Sequence, residues 1–242
     1  MKNLIGKNIL GVIVELSKNS WNHRAFSGKE YKTKISEFLF VYYEWNKPRK
    51  NEDLYRTLNV NDGLLLNDLE FIGKEKDRGF GLTSQVRINK LDEISTDVRA
   101  HIPFIDFDID KYEFEIENKK DLLEIIKKSI KDSTEIEKGL ILKSSSKENL
   151  YFIGTDRLLS ETDFITFLGL CLTIGYRKNS GQKFISLADS RHIGHSLTPI
   201  KYLAELNDEP WSKYDYTDRF STLRINSKNN NVSYPIVIDI LE

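Results

Sequence analysis

The stretch Ile102-Pro103-Phe104-Ile105-Asp106-Phe107-Asp108-Ile109 decides how this chain is read. It is an apolar, β-prone run with two acidic residues two positions apart. Side chains alternate faces along a strand. Asp106 and Asp108 therefore share one face with Ile102 and Phe104, while Ile105, Phe107 and Ile109 point to the other, toward a core. Aspartate is disfavoured in strands, and two like charges on one face repel unless a cation neutralises them. Hard carboxylate oxygens are the ligands of Mg2+ or Mn2+, and such pairs begin the sites of metal-dependent phosphoryl and nucleotidyl transfer. The plain alternative is a polar-faced strand with two solvated aspartates.

Downstream, the pattern gives alternating elements. Lys119–Ile130 is an amphipathic helix with Leu122, Leu123, Ile125, Ile126 and Ile130 on its apolar side. Gly139–Lys143 and Leu150–Gly154 read as a hairpin around a polar loop. Ser160 is a helix N-cap with acidic residues following it, and Phe164, Phe167, Leu168 and Cys171 recur at helical spacing. A turn at Asn179-Ser180-Gly181 leads into a strand, Lys183–Ala188, that ends at Asp189. The order is β-α-β-β-α-β, the split βαβ pattern of ferredoxin-like folds and RNA-recognition domains. The expected class is α+β, with a palm-like unit over residues ~100–190. Residues 1–98 are expected to form an α/β portion packed on it. They hold apolar runs at Ile9–Leu16, Ile35–Trp45 and Leu64–Ile72, with polar loops such as Asn46–Asp53 between them. Phe38–Tyr43 suits a buried strand, although its length also allows a helix. No Pro/Gly/Ser-rich linker divides the chain, so 1–242 reads as one domain, with 99–242 as its palm-like part.

Two further segments could join the aspartates. In Lys143-Ser144-Ser145-Ser146-Lys147-Glu148-Asn149-Leu150-Tyr151, hydroxyls and a lysine at a tight loop suit phosphate oxygens; a solvated hairpin loop is the alternative. In Asp189-Ser190-Arg191-His192-Ile193-Gly194-His195, a third carboxylate precedes an arginine and two histidines. His192 and His195 could ligate a transition metal if helical, but Gly194 between them argues for a loop. Arg224, inside Leu223-Arg224-Ile225, is a cation in an apolar triplet and needs a carboxylate or phosphate partner.

Together these segments resemble the archaeo-eukaryotic primase superfamily, and more narrowly the bacterial primase-polymerase-like proteins, over roughly residues 100 to 226. The first family motif, Asp-x-Asp on an apolar strand, is matched by Asp106 and Asp108. The third, an apolar residue followed by an acid, is matched by Ala188-Asp189. The resemblance implies a nucleotidyltransferase in which Asp106, Asp108 and Asp189 are catalytic and hold Mg2+ or Mn2+. It further implies that Lys143, Ser144, Ser145, Tyr151, Arg191, His195 and Arg224 face a nucleoside triphosphate. Single-stranded nucleic acid or a primer-template would be the second partner. The second family motif departs from the pattern. The family has a histidine after its serine-containing turn, and Tyr151 stands in that place here. A phenol can hydrogen-bond a phosphate but is uncharged at neutral pH, so the expectation extends to a degenerate or inactive member. The rival reading is a non-catalytic nucleotide- or nucleic-acid-binding module of the same fold; a third is an interaction protein whose acids are solvated.

Composition sets the outer bounds. Of 242 residues, 36 are Lys or Arg and 37 Asp or Glu, so any basic surface must be a local patch rather than a global field. The single cysteine, Cys171, excludes an intramolecular disulfide or a zinc ribbon. The start has no long apolar h-region, and no apolar run is long enough to span a membrane, so a cytoplasmic location without membrane partners is expected. Gly-x-Ser-x-Gly and Gly-x-x-x-x-Gly-Lys-Ser/Thr motifs are absent. Gly79-Phe80-Gly81 lacks the strand-helix context of a dinucleotide site.

Overall fold

The computed structural model describes residues 2–24, 28, 30–44, 55–60, 64–69, 71–74, 78–89, 98–109, 119–144, 149–178, 183–197, 221–225 and 233–242. Ser145 and the loops expected at 46–53 and 179–181 lie outside these residues. The fold is mixed α+β.

The first apolar run is helix α1 (Ile9–Lys18), started by Asn8, whose side chain accepts from the Gly11 N–H at 3.0 Å. Strands β1 (Trp21–Arg24), β2 (Glu30–Glu44) and β3 (Tyr55–Asn59) follow, then the short helix α2 (Phe71–Lys74) and strand β4 (Arg78–Asn89). The ambiguous Phe38–Tyr43 run is therefore strand, paired to β4 along its length. Strand β5 (Val98–His101) precedes β6 (Phe104–Phe107), the strand read first from the sequence. Helix α3 (Lys119–Ser133) and the hairpin β7 (Gly139–Lys143) and β8 (Leu150–Gly154) come next. The two-residue strand β9 (Arg157–Leu158) leads to α4 (Glu161–Cys171), capped by Ser160, which accepts from the Asp163 N–H at 3.2 Å. The chain continues through β10 (Gly175–Lys178), β11 (Lys183–Ser186), α5 (Ser190–Leu197), β12 (Thr222–Arg224) and β13 (Ile236–Leu241).

Strands β13-β7-β8-β6 form one antiparallel sheet. Its two faces enter two different cores. Ile105, Phe107, Ile141, Leu150 and Phe152 pack with Leu122, Ile126 and Ile130 of α3 and Phe164, Phe167, Leu168 and Cys171 of α4. On the other face Phe104, Leu140, Leu142, Tyr151 and Ile153 join a core built from α1, β2 and β4. The alternation read from the sequence is thus present, with both faces buried rather than one.

The second sheet has seven strands, in the order β12-β4-β2-β1-β9, with β3 on β2 and β5 on β4. Three of its strands, β5, β9 and β12, come from after residue 97, and β13 returns beside residue 8 through an Asn8–Ile236 bridge. The last expected strand differs from the reading. Lys183–Ser186 pairs with β10 rather than with β6, and only Ala188 reaches the open edge of β6, in a single bridge to Phe107. Hairpin pairing is local in sequence and closes a short loop at small entropic cost, which explains why β10, unread in the sequence, captures β11.

Candidate active site: three aspartates at the edge of β6

Asp106 sits on β6 with Tyr151 of β8 directly across the sheet. Opposed residues of an antiparallel pair lie on the same face, with Cβ atoms about 5 Å apart. The bridge between Phe107 and Ala188 then sets the next residue beside β6, where the Asp189 N–H donates to the Asp106 carbonyl at 2.7 Å. Asp108 follows the strand and is buried. The acids of the first and third sequence segments are thereby brought together.

Asp189 also begins helix α5. Its Oδ1 accepts from the Arg191 N–H at 2.9 Å, and its carbonyl accepts from the Ile193 N–H at 3.0 Å, the pattern of an N-cap. The loop expected around Gly194 is therefore helical. A glycine inside a helix costs about 1 kcal/mol, and the cap at Asp189 offsets a penalty of that size. Arg191 folds back over the acids: its Nη2 donates to Asp108 Oδ2 at 3.2 Å and to Asp189 Oδ2 at 3.2 Å. His195, one turn further on, is exposed.

Asp106 is the unusual member. Its Oδ1 is buried with no hydrogen-bond partner. Burial raises its pKa from 3.8 to about 7, the charges of Asp189 and Asp108 push the same way, and Arg224 and Arg191 oppose them. Asp189 moves in the opposite direction. Burial acts to raise it, but the hydrogen bonds and charge of Arg191 outweigh that and hold it below its ordinary value. Arg224 reaches this neighbourhood on β12, in register with Gly81 of β4. A Cβ on Gly81 would run into the Thr222 methyl group of β12, so a side chain there would displace Thr222.

The remaining expected residues divide. Tyr151 is on the Asp106 face. Lys143 is opposite Leu150, and so lies in register with the helix-bearing face, away from Asp106. Ser144 closes the hairpin through its N–H to the Asn149 carbonyl at 2.9 Å.

A buried polar column behind the site was not legible in the sequence. His101 Nε2 meets Glu161 Oε2 at 2.9 Å, and its Nδ1 meets Ser84 Oγ at 3.3 Å. Ser84 Oγ accepts from the Ser221 N–H at 2.9 Å, Ser221 Oγ donates to Ser196 Oγ at 3.0 Å, and Ser196 Oγ donates to the His192 carbonyl at 2.8 Å. The column ties α5, which carries Arg191, to the start of β12, which carries Arg224. The only sequence signal was polar residues set in apolar runs, which does not identify their partners.

Among the described residues, no group of three or more His, Cys, Asp or Glu side chains is arranged to hold a metal ion. Carboxylate oxygens are the donor type that a hard divalent cation takes. Three carboxylates lie on adjoining backbone, and one of them has a buried oxygen lacking any partner. No protein-family model matches the chain, and no curated protein matches it.

Proposed function

We propose that this chain is a primase-polymerase-like nucleotidyltransferase domain built on a ferredoxin-like palm, with β6, β8 and β7 as the palm's neighbouring strands. The observation that carries the reading is the meeting of Asp106 and Asp108 with Asp189, which lies 81 residues beyond Asp108, around the unpartnered Asp106 Oδ1. Asp106, Asp108 and Asp189 would hold Mg2+ or Mn2+, which supplies activation of a 3′-hydroxyl and charge stabilisation at the leaving pyrophosphate. Arg191 and Arg224 would be the cations that meet the phosphates of a nucleoside triphosphate. Tyr151, buried directly across from Asp106, would offer its hydroxyl and add no charge. Single-stranded nucleic acid or a primer-template is the second substrate.

A second reading, a non-catalytic nucleotide-binding module on the same fold, is favoured by one feature: the residue directly across from Asp106 is Tyr151 rather than a histidine. Charge-assisted hydrogen bonds are about twice as strong as neutral ones, so wild-type affinity for triphosphates is expected to be weak. Tyr151→His should tighten triphosphate binding about tenfold. Binding and primer-extension assays in Mn2+ on the two proteins separate the readings. Extension by either protein supports the enzyme. Triphosphate binding without extension by either supports the module. Absence of triphosphate binding by both contradicts the two together.

A further inference from the structure

The buried polar column has one titratable ring inside it, that of His101, which is 1 % exposed. Its hydrogen-bond partners fix where its proton sits. A carboxylate only accepts, so the Nε2 that meets Glu161 Oε2 at 2.9 Å carries a hydrogen. Ser84 Oγ accepts from the Ser221 N–H at 2.9 Å, and the acceptor for its own hydrogen among the described residues is His101 Nδ1 at 3.3 Å. The column is therefore complete only with a neutral ring protonated on Nε2. Phe164 stacks on that ring, with centroids 4.2 Å apart, and covers one face. A second proton, on Nδ1, would set an N–H against the Ser84 O–H, donor against donor. Ser84 is fully buried. It must then turn its hydrogen away from the ring or give up the Ser221 N–H.

We propose that His101 is a proton-operated latch on the seam between β4 and β12: the neutral ring holds Ser84 in place to bind Ser221, and a second proton on the ring releases β12 together with α5, which is tied to it through Ser221 and Ser196. The latch goes beyond the proposed activity and does not depend on the reading of the aspartates. Few charged groups bear on the ring. Helix α4 presents Glu161, strand β4 presents the uncharged Ser84 with Gln85 in register, and β1 carries the buried His23, which in turn feels Asp163 of α4. Burial pushes the ring below its ordinary 6.5, and the hydrogen bond and charge of Glu161 oppose that in part. Opened to water, the ring returns to its ordinary value. Below pH 6.5 the open form thus binds more protons than the closed one. Opening then grows by up to about tenfold per pH unit as pH falls, until the closed form takes the proton as well. Above that range both forms hold the same number of protons and opening is independent of pH. Arg224 lies on β12 and Arg191 on α5, so acid loosens the elements that carry both cations.

The test is amide hydrogen exchange of the full chain followed by nuclear magnetic resonance between about pH 7.5 and about pH 5, corrected for the intrinsic exchange rate. The amides of Ser84, Ser221 and Ile225 report the seam, since each bonds across it. Their protection should be constant above pH 6.5 and fall by up to about tenfold per unit below it, while the β7–β8 ladder keeps its protection. His101→Asn puts an amide oxygen near the place of Nδ1 and cannot titrate, so it should abolish the dependence. Ser84→Ala cuts the link between ring and β12. It should lower seam protection at every pH and flatten its slope, whereas a histidine acting through burial alone would leave the slope of the wild type. In the wild type itself, the ring 15N shifts at neutral pH should show a hydrogen on Nε2 and none on Nδ1. A hydrogen on Nδ1, seam protection that does not change with pH, or a wild-type slope retained in either variant overturns the latch.

Discussion

A carboxylate whose buried oxygen has no partner is unfavourable when ionised, and Asp106 is in that position. With its pKa near 7 against 3.8, the folded protein holds a proton that the unfolded chain releases between those values. The group's contribution to stability is then full below the lower value and is lost as pH rises through about 7. Asp106→Asn keeps the shape and removes the titration. In metal-free protein it should melt higher than wild type at pH 8, by an amount on the order of 1–4 kcal/mol, and the two should converge toward pH 4. Calorimetric melting from pH 4 to pH 8 checks this, and parallel curves for the two proteins would contradict it. The sequence made Asp106 and Asp108 visible because two acids in an apolar strand are chemically conspicuous. It did not reveal that Asp189 serves as a helix cap, because Gly194 hides the helix that follows.

Among the elements, those fixed by short-range pattern were readable. Helices α3 and α4 and the hairpin β7–β8 follow from spacing, capping and alternation within about a dozen residues. Strands β5, β9 and β12 were not readable, since each is two to four residues long and owes its conformation to a distant partner. The polar column belongs with them. Its members come from β4, β5, α4, α5 and residue 221, and only the assembled fold joins them. Ser84→Ala removes the hydroxyl shared by His101 Nδ1 and the Ser221 N–H, leaving both buried groups without that partner. Such a loss costs about 1–3 kcal/mol. The expected result is a lower denaturation midpoint together with weaker triphosphate binding, because α5 and β12 hold the two arginines. A variant with unchanged stability would show that the column does not fasten these elements.

Across the whole molecule, the two parts distinguished by sequence pattern are interlaced. The large sheet takes three strands from beyond residue 97, and the small sheet shares a core with α1, β2 and β4. A fragment of residues 99–242 would leave Phe104, Leu140, Leu142 and Ile153 facing water. It should be insoluble or lack a cooperative transition, as judged by near-ultraviolet circular dichroism and calorimetry; a cooperatively melting fragment would contradict the interlacing. Asp189 and Arg191 adjoin β6 of the small sheet, and Arg224 acts on Asp106 by its charge from β12 of the large one, so the candidate site depends on the whole fold. The most direct test of that site is a calorimetric titration of Mn2+ into wild type and Asp106→Asn at pH 8, with a nucleoside triphosphate present. Binding by the wild type that is abolished in Asp106→Asn, with the melting transition of the variant intact, is the predicted result; equal Mn2+ affinity in the two proteins would contradict it.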